Sequence, residues 1–317
     1  MQETASVGTP ALWAGFIVFV IAMLALDLGV FHKKAHEVRP KEALFWSVFW
    51  ISLALLFNYC VYSMFGQEKG MEFLTGYVIE KALSVDNIFV FLMLFTYFNV
   101  PSTHQHRILF WGILGALLLR GIFIGAGAAL VASFHWILYL FGVLLTVTGA
   151  KMLFSGDEPH DPEKNAVYRL FRKNVRCTPD FSGQDFIVRC GGKWSATPML
   201  LVLVAVEASD VMFAVDSIPA VFAVTSDPFI VYTSNIFAIL GLRALYFLLA
   251  GSIAKLRFLK LGLSMVLVFI GGKMLGAGVY KVPVSVSLSV VAALVGLSVA
   301  ASLLYPAPEA SAEAAEE

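Results

Sequence analysis

The sequence predicts an all-α polytopic membrane protein in which nine transmembrane helices carry two inverted three-helix repeats. Three observations lead there. Of 317 residues, 59% are hydrophobic and 14% charged, with a mean hydropathy of +0.82, whereas soluble domains carry about 45 to 50% apolar and about 25% charged residues. The apolar residues gather in stretches of the about 20 needed to cross a hydrocarbon core, not in the shorter alternating strands of a β-barrel. Three landmarks also recur in one order in the two halves of the chain. A formal net charge of zero lacks the clustered basic face of a nucleic-acid binder. Three cysteines are an odd set, which speaks against a disulfide framework. No haem or redox code is present, and the chain reads as a non-enzyme without a tightly bound cofactor.

The apolar stretches lie at 10–31, 43–65, 71–98, 107–132, 134–154, 197–225, 228–250, 257–278 and 283–304. Met1 to Pro10 carries no Lys or Arg, so the basic start of a signal peptide is missing and the first stretch reads as a permanent helix. Basic connections stay in the cytoplasm. Alternate connections hold fifteen Lys and Arg, while the opposite set, with the N-terminus, holds only Lys69 and Lys281. The bias predicts the N-terminus outside and the C-terminus inside.

Residues 1–70 thus hold the first two spans, 71–154 a first three-helix unit, and 155–196 a cytoplasmic connection. A second unit follows at 197–280, then 281–317 with the last span and an acidic tail that reads as disordered. In the connection, Val167, Leu170, Phe171 and Val175 share one helical face while Arg169, Arg172, Lys173 and Arg176 stay polar, the pattern of a helix lying on an anionic leaflet. Phe186–Arg189 and Lys193–Ala196 flank Gly191-Gly192 as a candidate hairpin. Cys177 and Cys190, lacking a CxxC or a His pair, make a poor zinc site and read as reduced thiols.

The repeat rests on three matches. Ala82-Leu83-Ser84-Val85-Asp86-Asn87 matches Met212-Phe213-Ala214-Val215-Asp216-Ser217. Ile113-Leu114-Gly115 with Arg120 echoes Ile239-Leu240-Gly241 with Arg243, and Gly149-Ala150-Lys151-Met152-Leu153 matches Gly271-Gly272-Lys273-Met274-Leu275. Each unit holds three spans, so two in series insert in opposite orientations, the arrangement of secondary transporters whose substrate sits near the midplane.

Six acids fall more than a helical turn inside the spans: Asp27, Glu80, Asp86, Glu207, Asp210 and Asp216. A charge at the bilayer centre costs at least about 2.5 to 3.5 kcal/mol, so such residues face an interior or a watery path. Asp86 and Asp216 are equivalent and near mid-span. Glu80 shares a helical face with Asn87, Glu207 with Asp210, and Asp210 with Ser217. Pro219 cannot donate to the Val215 carbonyl, and a kink there would offer one backbone oxygen beside Asp216. Carboxylates, amides, hydroxyls and carbonyls suit magnesium, calcium and manganese, whereas the imidazoles and thiols that copper and zinc prefer are missing. A divalent cation, or protons as coupling ion, would balance the surplus of acids over Lys81, Arg120 and Arg243. The competing account pairs the acids with Arg120 and Arg243 and binds no ion. Lys151 and Lys273 read as snorkelling end charges, Asp27 as a gate residue or merely a hydrated acid, and Asn58 and Asn235 as interhelical hydrogen-bond partners.

Residues 80–90, 206–220 and 233–247 together resemble the TerC family of bacterial membrane proteins, and by order and length its Alx-type members. The likeness covers about residues 8–280. It implies a nine-span inner-membrane protein of the LysE transporter superfamily, linked with manganese export and with tellurite resistance. The family's acidic motif falls on Glu80, Asp86, Asn87, Glu207, Asp210 and Asp216. Tellurite is an anion that a carboxylate-rich midplane would repel, so the residues favour a hard divalent cation, manganese foremost. The alternative implied by some relatives is a membrane partner module that assists metallation or insertion of other proteins, with 155–196 as its contact surface.

Overall fold

A computed structural model describes residues 6–31, 40–134, 136–154, 166–175, 177–178, 181, 183, 185–190, 193–249, 258–280 and 282–305. The acidic tail and much of the 155–196 connection lie outside these residues. The chain is built from helices α1 (Pro10–Phe31), α2 (Pro40–Phe65), α3 (Gln67–Tyr97), α4 (Ser102–Ser133), α5 (Ile137–Phe154), α6 (Ala166–Asn174), α7 (Pro198–Phe222), α8 (Pro228–Leu240), α9 (Leu242–Leu249), α10 (Leu259–Leu275) and α11 (Val284–Leu304). A hairpin of β1 (Ile187–Cys190) and β2 (Lys193–Ala196) precedes α7, with Ile187 opposite Ala196 and Cys190 opposite Lys193.

Local chemistry places the boundaries. Gly66 turns α2 into α3 at φ 91°, a left-handed backbone that glycine adopts without a Cβ penalty. Pro198 and Pro228 open α7 and α8, where a missing N–H costs nothing, and the Asp227 carboxylate caps α8 by accepting from the Phe229 N–H at 3.0 Å. The stretch expected as one span at 228–250 breaks at Gly241 into α8 and α9. A Cβ there would stand 3.0 Å from Trp50 Cβ, so the break coincides with a close helix crossing. α7 runs on through the buried Pro219 as one helix.

Among the described residues, seven helical rods are long and apolar enough to cross a membrane: α2, α4, α5, α7, α8 with α9, α10 with its following 3-10 turn, and α11. α1 is apolar over Pro10–Leu26, a shorter stretch, and α3 carries Glu68, Lys69, Glu72, Glu80, Lys81 and Asp86. Large apolar side chains such as Val18, Leu118, Leu297 and Leu303 are turned outward, while Glu80, Arg120, Asn235 and Arg243 are buried. This is the inverse of a soluble globule, and it makes the bundle an integral, multi-pass membrane protein.

α3 is central, packing against α2, α7, α8 and α11. α5 and α10 form the tightest pair. A Cβ at Gly271 would lie 2.7 Å from the Gly142 carbonyl oxygen, and one at Gly149 would lie 2.8 Å from that of Ser264. At one end of the bundle, hereafter the N-terminal end, Ser6 and Val7 donate to the Asp227 carboxylate at 2.7 and 2.9 Å. At the other, the hairpin end, Tyr168 of α6 packs against Phe98 just past α3, and Thr197 ties the start of α7 to the segment before β1 by donating to the Asp185 carbonyl at 2.6 Å.

Candidate functional site

Helical spacing brings the polar groups of α3 and α7 to a common surface. Glu80, Leu83 and Asn87 of α3 meet Phe213, Asp216 and Ser217 of α7 around a cavity of about 50 Å³. Arg120 of α4, Thr148 and Met152 of α5, and Leu263 and Leu267 of α10 complete its wall. A water needs about 10 to 15 Å³ of such space, so the cavity has room for a few waters or one ion exchanging them for protein oxygens.

Arg120, 1% exposed, donates through Nη1 to Glu80 Oε1, with Glu80 fully buried, and to Ser217 Oγ at 3.1 Å. The expected ion pairing is therefore realised between Arg120 and Glu80. It is incomplete: Glu80 Oε2 and Arg120 Nε are buried without a hydrogen-bond partner. Thr148 donates to Asp216 Oδ1 at 3.2 Å, and Asp216 is half-buried. Asp210 is buried beside this group, within the electrostatic reach of both Arg120 and Glu80. Glu207 lies further along α7, its carboxylate pressed on Gly115 of α4 in a space that a Cβ would fill, with Oε2 unpartnered. The structure thus brings Glu80, Asn87, Asp216 and Ser217 onto one cavity, with Asp210 next to it, and sets Glu207 at the α4–α7 contact. The side chains of Asp86 and Asp27 lie outside the described residues, although both positions are helical. Among the described residues, no three His, Cys, Asp or Glu side chains converge as a metal-holding group. Any cation here would need the Asn87 amide and the Ser217 and Thr148 hydroxyls as well.

Lys81, one of the cations in the charge balance, donates to the Ala238 carbonyl at 3.1 Å. Among the described residues the interhelical bond expected of Asn235 is not formed, since both its amide atoms are buried and unpartnered, and Asn58 Oδ1 is likewise unpartnered. Lys273 lines a vestibule of about 370 Å³ at the N-terminal end, with Lys69, Glu72, Thr225 and Asp227. There Lys69 and Thr225 donate to Glu72 Oε2 at 2.8 and 2.6 Å. Lys151 is exposed, and Arg243 is buried in α9. Sequence reasoning missed Thr148 and the whole vestibule. The available signals were a hydroxyl in a largely apolar span and the Lys69–Glu72 spacing of one helical turn.

A model of the integral membrane protein TerC family matches residues 65–310. An uncharacterized membrane protein of Myxococcus xanthus is 56% identical over 316 residues, covering 99% of both chains. Proteins of Salmonella typhi and Escherichia coli K12 named "putative membrane-bound redox modulator Alx" are 50% identical over 295 residues, covering 90% of this chain and 92% of theirs. No solved structure matches the chain.

Proposed function

Because this chain belongs to the TerC family of integral membrane proteins, we propose that it is a secondary transporter of the LysE superfamily that exports a hard divalent cation, manganese foremost, from the cytoplasm through the α3–α7 cavity. One observation carries the reading: Glu80 Oε2 is buried without a partner on a cavity otherwise supplied with oxygen by Asp216, Asn87, Ser217 and Thr148. Buried polar atoms normally find partners, and a cation is the partner that such an oxygen set selects. Glu80 and Asp216 line this cavity with Arg120, and Asp210 is buried beside it. Fully ionised, these groups leave a formal deficit that one dication would balance, with protons as the candidate counter-ion.

The inverted-repeat reading gains support from a reciprocal pair of contacts. Gly142 stands seven residues before the landmark Gly149, as Ser264 stands before Gly271, and the close approaches are Gly271 on Gly142 and Gly149 on Ser264. Exchanging the two units exchanges the two contacts. Likewise Glu80 precedes Asp86 by the six residues that separate Asp210 from Asp216. On this reading α1 and α3 are the remaining spans of nine, and the basic bias supports a hairpin end facing the cytoplasm of a bacterial inner membrane.

The redox wording attached to the relatives gains no support from Cys177 and Cys190, whose backbones are not spaced as a disulfide pair. Cys177 bridges to Ala196 while Cys190 is opposite Lys193, which separates them by about 10 Å along the strand, beyond the about 7 Å that a disulfide spans.

Purified protein in proteoliposomes should move manganese and not zinc or copper. Asp86→Asn and Asp216→Asn should each remove the flux from protein that remains folded, since the amide keeps the shape but loses the charge that offsets dehydration of a dication. Wild-type flux in both variants would return these carboxylates to structural ion pairing. Reporter fusions at Glu68, Phe181 and Glu309 should read outside, inside and inside, and an outside reading at Phe181 would overturn the topology.

A further inference from the structure

The hairpin end carries a second recess that the transport cavity does not use. It has a volume of about 210 Å³ and is lined, among the described residues, by Tyr168, Arg169, Arg172 and Lys173 of α6. From these groups we infer that α6 holds a binding site for a phosphate-bearing anion, with the headgroup of an anionic phospholipid as its occupant.

The placement of the helix makes the case. Tyr168 is 1% exposed and belongs to the apolar cluster of Phe91, Leu94, Phe95, Met199 and Val202, so it pins α6 across the end of α3 and the start of α7. Burial pushes its phenol up to about 12, so Tyr168 is a neutral anchor that brings no competing negative charge. The ends of spanning helices mark the boundary between hydrocarbon and headgroups. At that level Arg169, Arg172 and Lys173 are all exposed, and Leu170 is 64% exposed on the same short helix. An apolar side chain beside a basic face is the pattern of a helix that dips into the acyl boundary while its cations meet headgroups. Arg169 is three residues from Arg172 and four from Lys173, so the three are neighbours on the helix surface. Cations grouped this way around one recess can share a single anion. Guanidinium groups suit the task, because each can present two N–H donors to two phosphate oxygens.

The inference stands apart from transport, and so does its test. Full-length protein is extracted and reconstituted into nanodiscs of phosphatidylcholine with one-fifth phosphatidylglycerol, and the lipids retained on release are identified by native mass spectrometry. Wild type should keep phosphatidylglycerol over phosphatidylcholine by about tenfold or more. The triple variant Arg169→Gln, Arg172→Gln, Lys173→Gln should lose that preference. The charge-preserving Arg169→Lys, Arg172→Lys pair should retain a weaker one, which separates loss of charge from loss of fold. Phosphatidylglycerol that survives 10 mM inorganic phosphate, chosen on the order of a weak anion site's affinity, identifies the lipid as occupant, whereas its displacement assigns the site to phosphate in general. Equal retention of both lipids by wild type, or undiminished preference in the triple variant, overturns the inference.

Discussion

The mid-membrane cavity and the vestibule at the N-terminal end use the same chemistry with opposite results. Both draw an acid from α3, Glu80 in one and Glu72 in the other, about 12 Å apart along the helix, and both set that acid against a cation and a hydroxyl. In the vestibule Glu72 Oε2 receives Lys69 and Thr225, and the side chains of Lys69 and Glu72 are 20% and 9% exposed. In the cavity Arg120 and Glu80 are 2% and 0% exposed, and one Glu80 oxygen is left over. A pair near solvent is screened and contributes only about 0 to 1 kcal/mol. A buried pair must be balanced group by group, because desolvation rivals the Coulombic gain. The vestibule therefore reads as a latch that joins Ser6, Val7, Lys69, Glu72, Thr225 and Asp227, and the cavity as a site with bonding capacity in reserve.

The largest expected effect tests the buried side of this contrast. Arg120→Gln leaves Glu80 buried without its counter-charge and should destabilise the protein by about 3 to 5 kcal/mol, read as a lowered unfolding midpoint in detergent. Adding Glu80→Gln should recover much of that loss while flux stays absent. A stable single variant would erase the distinction between the two regions.

Next comes the helix pair that walls both. α5 and α10 supply Thr148, Met152, Leu263 and Leu267 to the cavity and Leu138, Lys273 and Met274 to the vestibule. Gly271→Ala puts a methyl against the Gly142 carbonyl and should cost about 1 to 3 kcal/mol through overpacking, whereas Gly272→Ala, facing open space, should be near neutral. Equal midpoints would show that the pair is looser than its geometry.

Lys69→Gln should be smaller still, within about 1 kcal/mol, and should shrink further as salt is raised. A loss as large as that of Arg120→Gln would promote the latch to a buried network.

The smallest effect lies outside both regions. Burial pushes the Cys177 thiol up from its ordinary value, and Arg172 opposes that shift. A raised value means less thiolate at neutral pH and slower alkylation. In a Cys60→Ser, Cys190→Ser background, Arg172→Gln should therefore slow maleimide labelling of Cys177 slightly at pH 7.5, a condition near the physiological range. Faster labelling would reverse the sign given to Arg172.

The residues alone were enough for the helical, membrane-embedded class, because apolar runs of spanning length are a one-dimensional property that packing does not alter. They also sufficed for the face shared by Glu80 and Asn87, since helical periodicity follows from backbone geometry. The starts of α7 and α8 are equally local, since Pro198 and Pro228 open them. Tertiary structure alone decided which face met which. That Arg120 reaches Glu80 and Ser217, that Thr148 donates to Asp216, and that Lys273 borders a vestibule depend on helix rotation and crossing, which are set by close approaches such as Gly271 on Gly142 and Gly241 on Trp50. Asn235 shows the limit best. Its residue type invites an interhelical hydrogen bond, yet whether a partner lies within reach is a property of the neighbouring helix, and no spacing along one strand of sequence contains it.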